Sequence, residues 1–362
     1  MLFTAKTESL SHVLALIARV SSKSPTLSGA GVLLELSGTT LRLSGYDMSL
    51  LAVVELEVDA KTDGVALVPA AVLSQIVSAL RAPEVSIDTS SEPGKLKLVS
   101  TGSSSTLLTM SPSEFPLTPT PTPAGVTISS DILATAISRV RYAVATDPSR
   151  GAICALCLDV KSGSATLVAT DSLRMATCSI DALKGLGAGT YLISPRALDE
   201  LSRQLGTEDV SIGLNEQFVS FYLPGITFTS HLQAGQYPSW GPIMEMPRPS
   251  SFNANASDLT GLLRQVDPLA KNSTHVELAL TSSELTVSTQ SDQGSIKAAM
   301  PADHTGDPAT FRLNPKYLRD CLAAISPERV TCHFSDDLAR PLEFTGAPGD
   351  LSRHLLMPIR VV

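Results

Sequence analysis

The strongest constraint on this chain is that it states one pattern three times. Leu67-Val-Pro-Ala-Ala-Val-Leu73 returns as Leu192-Ile-Ser-Pro-Arg-Ala-Leu198, and again as Arg312-Leu-Asn-Pro-Lys-Tyr-Leu318. Aligned on Pro69, Pro195 and Pro315, the copies stand 126 and 120 residues apart (195 − 69 and 315 − 195). Each proline heads an apolar helix pattern and then a strand-like run: Val85-Ser-Ile87, Val210-Ser-Ile212 and Val330-Thr-Cys332. Periods of about 20–50 residues build solenoids. A much longer period gives every copy room for its own hydrophobic core. Three domains are expected, at 1–121, 122–246 and 247–362. Stiff proline-rich segments, Pro116–Pro123 and Pro242–Pro249, mark the two boundaries.

Within each copy the pattern is helix, strands, helix, strands. Leu10, Val13, Leu14 and Ile17 recur at helical spacing. So do Leu133, Ala136, Ile137 and Val140, and later Leu259, Leu262, Leu263 and Val266. Ser130 and Ser257, each before an aspartate, read as N-caps. The spacing predicts helices over 8–23, 69–82, 130–145, 195–206, 257–271 and 315–326. Strand pairs follow each first helix, and three short strands follow each second one. The class is α+β, with two helices on antiparallel sheets in every repeat.

Composition bounds the function. A hydrophobic share of 43% against 17% charged is globular, and 4% aromatics makes the cores aliphatic. No run of 18 apolar residues occurs, so no membrane span is expected. The first twenty residues lack a basic start and a small-residue cleavage site. They read as a first helix, and the chain as cytoplasmic. Cys154-Ala-Leu-Cys157 has C-x-x-C spacing, but Ala152–Val160 reads as one strand, on which i and i+3 face opposite ways. Buried, reduced thiols are expected there, with no metal and no cofactor. No G-x-S-x-G, H-E-x-x-H, P-loop or G-x-G-x-x-G occurs, so an enzyme is not expected.

Three strings carry a resemblance: Leu167-Val-Ala-Thr-Asp-Ser-Leu-Arg-Met-Ala176, Phe228-Thr-Ser-His-Leu-Gln-Ala-Gly-Gln-Tyr-Pro238 and His354-Leu-Leu-Met-Pro-Ile-Arg360. With the threefold repeat, they make the chain resemble the bacterial β sliding clamps, the processivity rings of replicative DNA polymerase. The resemblance covers the whole chain. It implies repeated DNA-clamp domains, two copies joined head to tail into a six-domain ring, helices lining a central hole and strands outside. The implied partners are encircled double-stranded DNA, a second copy of the chain, and DNA polymerase, clamp loader and repair proteins that dock by a short linear peptide.

The charges suit that picture. The predicted helices hold eleven basic and seven acidic residues, a balance of +4, on a chain of net charge −8. The candidate DNA-facing cations are Lys23, Arg81, Arg139, Arg141, Arg150, Arg196, Arg203, Arg264, Lys271, Lys316 and Arg319. Contacts of this kind address phosphates and carry no sequence information.

The resemblance also implies an apolar pocket for the partner peptide. The matching positions are Ile153, then Thr170, Ser172, Leu173, Arg174 and Met175, then Pro247, Pro341 and Leu342. The tail adds Leu355, Leu356, Met357, Pro358, Ile359 and Arg360. Leu173, Met175 and Arg150-Gly-Ala152 depart from the family strings. Gly102–Thr106 lacks the basic and aromatic residues that often seal the dimer, and the opposing Ser291–Ser295 has little charge to pair with them. These departures also suit a divergent paralogue of the clamp. A repeated-domain scaffold is the remaining alternative.

Overall fold

In the computed structural model, residues 1–21, 30–270, 275–281, 283–325 and 329–359 are described. The first repeat runs β1 (Leu2–Lys6), α1 (Thr7–Val20), β2 (Gly31–Ser37), β3 (Thr40–Tyr46), β4 (Leu50–Glu57), β5 (Asp59–Thr62), β6 (Gly64–Pro69), α2 (Ala70–Ala79), β7 (Glu84–Asp88), β8 (Lys95–Ser100) and β9 (Ser103–Leu108). The second runs β10 (Val126–Ser129), α3 (Ser130–Arg141), β11 (Leu156–Lys161), β12 (Ser164–Thr170), β13 (Arg174–Ser179), β14 (Gly189–Ile193), α4 (Pro195–Ser202), β15 (Asp209–Leu214), β16 (Phe218–Leu223) and β17 (Ile226–His231). The short α5 (Gly241–Met244) leads to the third: β18 (Ser250–Ala254), α6 (Ala256–Ala270), β19 (Val276–Leu280), β20 (Glu284–Ser291), β21 (Gly294–Pro301), β22 (Asp303–Thr305), β23 (Ala309–Leu313), α7 (Pro315–Ala324), β24 (Val330–Phe334), β25 (Leu342–Thr345) and β26 (Ser352–Leu356).

The repeats therefore open on a strand rather than on the helix. Phe3 and Ala5 alternate inward along β1, and this short period-two run flows straight into the helical pattern that masked it. The caps differ too. Asn255, not Ser257, caps α6: its Oδ1 accepts from the Ser257 amide at 2.9 Å. Ser130 lies inside α3, and its hydroxyl donates to the Glu208 carbonyl.

The chain forms two compact units, Met1–Ser130 with Arg196–Leu232, and Asp131–Pro195 with Gln233–Val362. The first holds a five-stranded sheet, β5-β1-β7-β8-β9, and an eight-stranded one, β10-β15-β16-β17-β4-β3-β2-β6. The second holds a nine-stranded sheet, β14-β11-β12-β13-β26-β25-β24-β18-β22, and a four-stranded one, β21-β20-β19-β23. One device recurs in both units. The fourth strand of a repeat pairs with the last strand of the next. β4 meets β17 from Leu50↔Ser230 to Val54↔Ile226, and β13 meets β26 from Arg174↔Leu356 to Cys178↔Ser352. In the third repeat the corresponding strand, β21, ends its sheet. In the first repeat the corresponding last strand, β9, ends its sheet.

A second recurrence fixes the true alignment of the repeats. The chain beyond each last strand donates one amide to the strand before the second helix. The bonds are Met110 N to Leu67 O (2.8 Å), Gln233 N to Leu192 O (2.8 Å) and Ile359 N to Arg312 O (2.7 Å). Leu67, Leu192 and Arg312 are thus equivalent. Pro69 then occupies the N-cap of α2, while Pro195 and Pro315 open α4 and α7. Aligning on the prolines misplaces the first copy by one residue. Asn314 caps α7, its side chain accepting from the amides of Lys316 and Tyr317.

The expected strand from Ala152 starts later. Pro148–Cys154 is a 3₁₀ segment broken at Gly151, whose φ of +63° suits glycine, and β11 starts at Leu156. Cys154 and Cys157 therefore do not share a strand. Both are free thiols, and burial pushes Cys157 up to about 12. Among the described residues no cluster of three or more His, Cys, Asp or Glu is placed to hold a metal, and no helix is long and apolar enough to cross a membrane.

Candidate functional site

The string Thr170–Arg174 folds into a turn that its own side chains hold. Asp171 Oδ1 accepts from the amides of Leu173 and Arg174, both at 3.0 Å. Thr170 Oγ1 donates to Arg174 O at 2.8 Å and accepts from Ser172 N at 3.0 Å. Ser172 is driven to a φ of +74°, a conformation few non-glycine residues adopt. Leu173 is thereby thrust outward, half exposed. Asp171 acts on the backbone here, as short polar side chains do in turns.

The tail is stitched to this turn. β26 pairs with β13, and the Met357 amide donates to Leu173 O at 2.9 Å. Two residues later Ile359 bonds the edge of β23. The expected pocket residues thus come together, but in two layers. Ile153, Met175 and Leu355 are buried in one apolar cluster with Tyr237 and Met244. Leu342 and Leu356 are buried in the core of the third repeat. They form a floor. The surface above it is Leu173, the half-buried Met357 and Pro358, and the partly exposed Ile359. Pro341 is buried and Pro247 exposed. Arg360 lies outside the described residues.

Arg174 belongs to the frame of the site. Its side chain is only 7% exposed. Nε donates to Asp171 Oδ2 at 2.9 Å, and Nη1 to Asp320 Oδ2 at 2.7 Å. The guanidinium lies over the rings of Tyr317 and Tyr142, 4.3 and 5.2 Å from their centroids. Tyr142, its phenol raised by burial, shares a hydrogen bond of 3.1 Å with His354 Nδ1. His354 is fully buried, which pushes its pKa down to about 4. The ring is therefore neutral, with Tyr142 donating to Nδ1 and Nε2–H donating to Ser352 Oγ at 3.0 Å.

Several residues that build this region carry no sequence signal of their own. Tyr142 follows the last residue of α3, and Tyr317 lies in the first turn of α7. Arg248, 4% exposed, donates to the carbonyls of Ile243, Met246 and Pro341 and pairs with Glu343, so it clips the linker down. Leu338, 40% exposed, joins Pro358, Ile359 and Phe311 around an open groove of about 610 Å³.

The DNA-facing set is only partly presented as expected. Arg150 donates to Ser172 Oγ at 2.8 Å, which puts it at the Thr170–Arg174 turn. Arg139 is bound to Asp350 and Ser352, and Arg196 to Asp47 and the Arg19 carbonyl. Arg203 pairs with Glu200, Lys316 with Asp320, and Arg319 with Asp267. Acids on the same or neighbouring elements have taken up these cations, which counting charges along the helices could not reveal. Arg81 and Arg264 are exposed, and Arg141 is half-buried. Lys23 and Lys271 lie outside the described residues.

Comparison with known proteins agrees with this architecture. The family model of the DNA polymerase III beta subunit N-terminal domain matches residues 1–119, and that of its central domain matches 127–239. The beta sliding clamp of Pseudomonas aeruginosa is 29% identical over 370 residues, covering 100% of both chains. That of Chlamydia muridarum is 25% identical over 339 residues, covering 91% of this chain and 90% of its own. A crystal structure of the P. aeruginosa DNA polymerase III subunit beta superimposes with a TM-score of 0.92 at 25% identity, covering 100% of both chains. A P. aeruginosa sliding clamp bound to griselimycin does so at 0.92 and 26%, again over 100% of both. The chain belongs to the DNA polymerase III beta subunit family, the bacterial sliding clamps.

Proposed function

We propose that two copies of this chain close head to tail into a ring around duplex DNA and tether a DNA polymerase to it. The repeats 1–121, 122–246 and 247–362 serve as its three domains. The observation that carries this reading is the pair of unused edges. β9 and β21 correspond to strands that pair within the chain at both internal junctions, yet each ends its own sheet. Exposed edges invite pairing with another chain, and here the complementary edge is on a second copy. The ring is a non-catalytic, cytoplasmic subunit. It holds DNA by encirclement, with the exposed Arg81 and Arg264 addressing phosphates. Polymerase, clamp loader and repair proteins dock a short peptide with a leucine and an aromatic anchor against Leu173, Met357, Pro358 and Ile359, above the floor of Ile153, Met175 and Leu355. Arg150 and Thr170 border this surface.

The test is topological. Protein loaded by a clamp loader onto a nicked circle should be retained in high salt and released when the circle is cut. Retention that survives linearisation would overturn the reading. Direct affinity for short linear duplex should be weak and should fall steeply with salt.

A further inference from the structure

Each internal junction carries an ionic latch beside its paired strands. The latch joins the turn before the fourth strand of one repeat to the second helix of the next. At the first junction Asp47 in the turn binds Arg196 on α4. At the second, Asp171 binds Arg174, which is bound in turn by Asp320 on α7, and Asp320 also takes Lys316. The repeat alignment makes Arg196 and Lys316 equivalent, each four residues beyond the carbonyl that receives the returning chain.

The same alignment locates the third set of positions. The hairpin pairs Tyr46↔Leu51, Thr170↔Met175 and Gln290↔Ser295 put Ser291 where Asp47 and Asp171 stand. Ala71 on α2 stands where Arg196 and Lys316 do, and Gln75 where Asp320 does. α2 has no charged residue at all: Ala-Ala-Val-Leu-Ser-Gln-Ile-Val-Ser-Ala. At the remaining junction the equivalent position on one side holds no carboxylate, the exposed Asp292 standing one residue further along the turn, and the equivalent position on the other side holds no cation. The strands are similarly plain. Ser103, Ser104, Ser105 and Thr106 line β9, and Lys297 is the one charge on β21.

Resting on the ring reading above, we propose that the seam between two copies is latch-free, closed by strand pairing and apolar contact without an ion pair. The internal registers, carried over, set Leu107 opposite Gly294, Ser105 opposite Ile296 and Ser103 opposite Ala298 of the second copy. The Leu108 amide, equivalent to those of His231 and Met357, donates to the carbonyl of Gln293, as those two donate to Ser49 and Leu173. Leu108 is 73% exposed in the single chain and becomes covered. Ring closure is then indifferent to salt, while the internal junctions and the DNA contacts are not. Opening is confined to the two equivalent seams between copies, which lack a latch.

Sedimentation equilibrium of the full chain from 50 mM to 1 M sodium chloride tests this without any variant. The dimer Kd should move by less than about threefold, since screening acts on charge pairs. A Kd that weakens more than about tenfold overturns the latch-free seam but leaves the ring reading standing. A chain that stays monomeric at about 100 μM overturns the ring reading itself. The second arm installs the missing latch. Ser291→Asp with Ala71→Arg should tighten the dimer by about threefold to tenfold at 50 mM salt, as a partly exposed ion pair does, and the gain should vanish at 1 M. A folded, dimeric double variant with no gain would show that the seam does not copy the internal junctions. A gain from Ala71→Arg alone would show that an acid already waits there. Either result overturns the proposal.

Discussion

Asp47 and Asp171 make the same turn at the same place in their repeats, and the amides of His231 and Met357 close on it in the same way. What fills the space beside the turn differs. At the first junction Tyr46 and His231 meet through a hydrogen bond of 3.1 Å, and the His231 ring packs edge-on against Phe218 at 4.5 Å. Tyr46 also packs with Leu51, Val53 and Phe115. At the second junction the equivalents of Tyr46 and His231 are Thr170 and Met357, a short hydroxyl and a flexible thioether. The exposed residue of the turn is Leu173 in place of Ser49. One backbone frame thus occurs twice, plugged by aromatic side chains in one case and left apolar and open in the other. On the proposed reading, a binding site in a repeated fold is made by what is left out of the frame as much as by what is added.

The largest expected effect comes from moving the plug. Thr170→Tyr with Met357→His should fill the second site as the first is filled. Burying a leucine and an aromatic is worth roughly 1.5–3 kcal/mol each. A fluorescent peptide carrying both should therefore lose about a hundredfold in affinity or more. The chain should stay folded, with a Tm within a few degrees of the parent. Unchanged peptide binding in a folded double variant would place the docking surface elsewhere.

Acid should separate the junctions next. His354 sits in the second junction where the first has Phe228, both fully buried and opposite Ala176 and Ala52. Burial holds its folded pKa at about 4, below the ordinary histidine value of 6.5. Between those values the unfolded chain takes a proton that the folded one refuses. Stability is therefore intact above pH 6.5, declines as pH falls, and has lost on the order of 3 kcal/mol by about pH 4. Hydrogen exchange at pH 4.5 should accelerate along β13 and β26 and not along β4 and β17. His354→Phe should remove that difference. Equal acceleration of both strand pairs would refute it.

The two junctions also mark how far the sequence could be read. The helices and most strands were legible because Leu10, Val13, Leu14 and Ile17 and their counterparts keep helical spacing without interruption. β1, β10 and β18 were not, because four or five residues of alternation cannot be told from the first turn of the helix that follows. The pocket turn was legible only through its resemblance to a family string, since apolar tails such as Leu355-Leu356-Met357 ordinarily signal core. Two of its expected wall residues, Met175 and Leu355, are indeed core. The latch on Arg174 was not legible at all: Asp320 lies 146 residues away, and only the pairing of β13 with β26 brings α7 to it. Charge counting stops short for the same reason, since it registers how many cations a helix has and not which acids the fold sets beside them.

Arg174→Leu, which installs the residue found at the equivalent Leu50, should come next in size. It leaves Asp171 and Asp320 without their shared cation, and both carboxylates are partly shielded, at 13% and 30% exposed. Removing one member of a buried pair costs more than the pair was worth, because the other charge remains. Asp320 keeps Lys316, so the loss should be about 2 kcal/mol in a denaturant titration. Peptide affinity should fall with it, since the turn that presents Leu173 is no longer tied to α7. A loss below about 0.5 kcal/mol would mean that the stacked tyrosines, not the ion pairs, hold the turn.

The smallest effect belongs to the matching latch at the first junction. Arg196 is 41% exposed where it meets Asp47, so solvent already screens the pair. Asp47 keeps its turn through the amides of Ser49 and Leu50, at 3.0 and 2.8 Å, whether or not the arginine is present. Arg196→Gln retains much of the side chain's length and loses the charge. Its cost should be about 0.5–1 kcal/mol at 50 mM salt and close to zero at 1 M, because only the screened electrostatic part is removed. Peptide binding at the second junction should not change. The contrast with Arg174→Leu then has a sharp form: one latch is dispensable in high salt and the other is not. If Arg196→Gln instead costs as much as Arg174→Leu, and does so at both salt concentrations, burial at the second junction is not what sets the two latches apart.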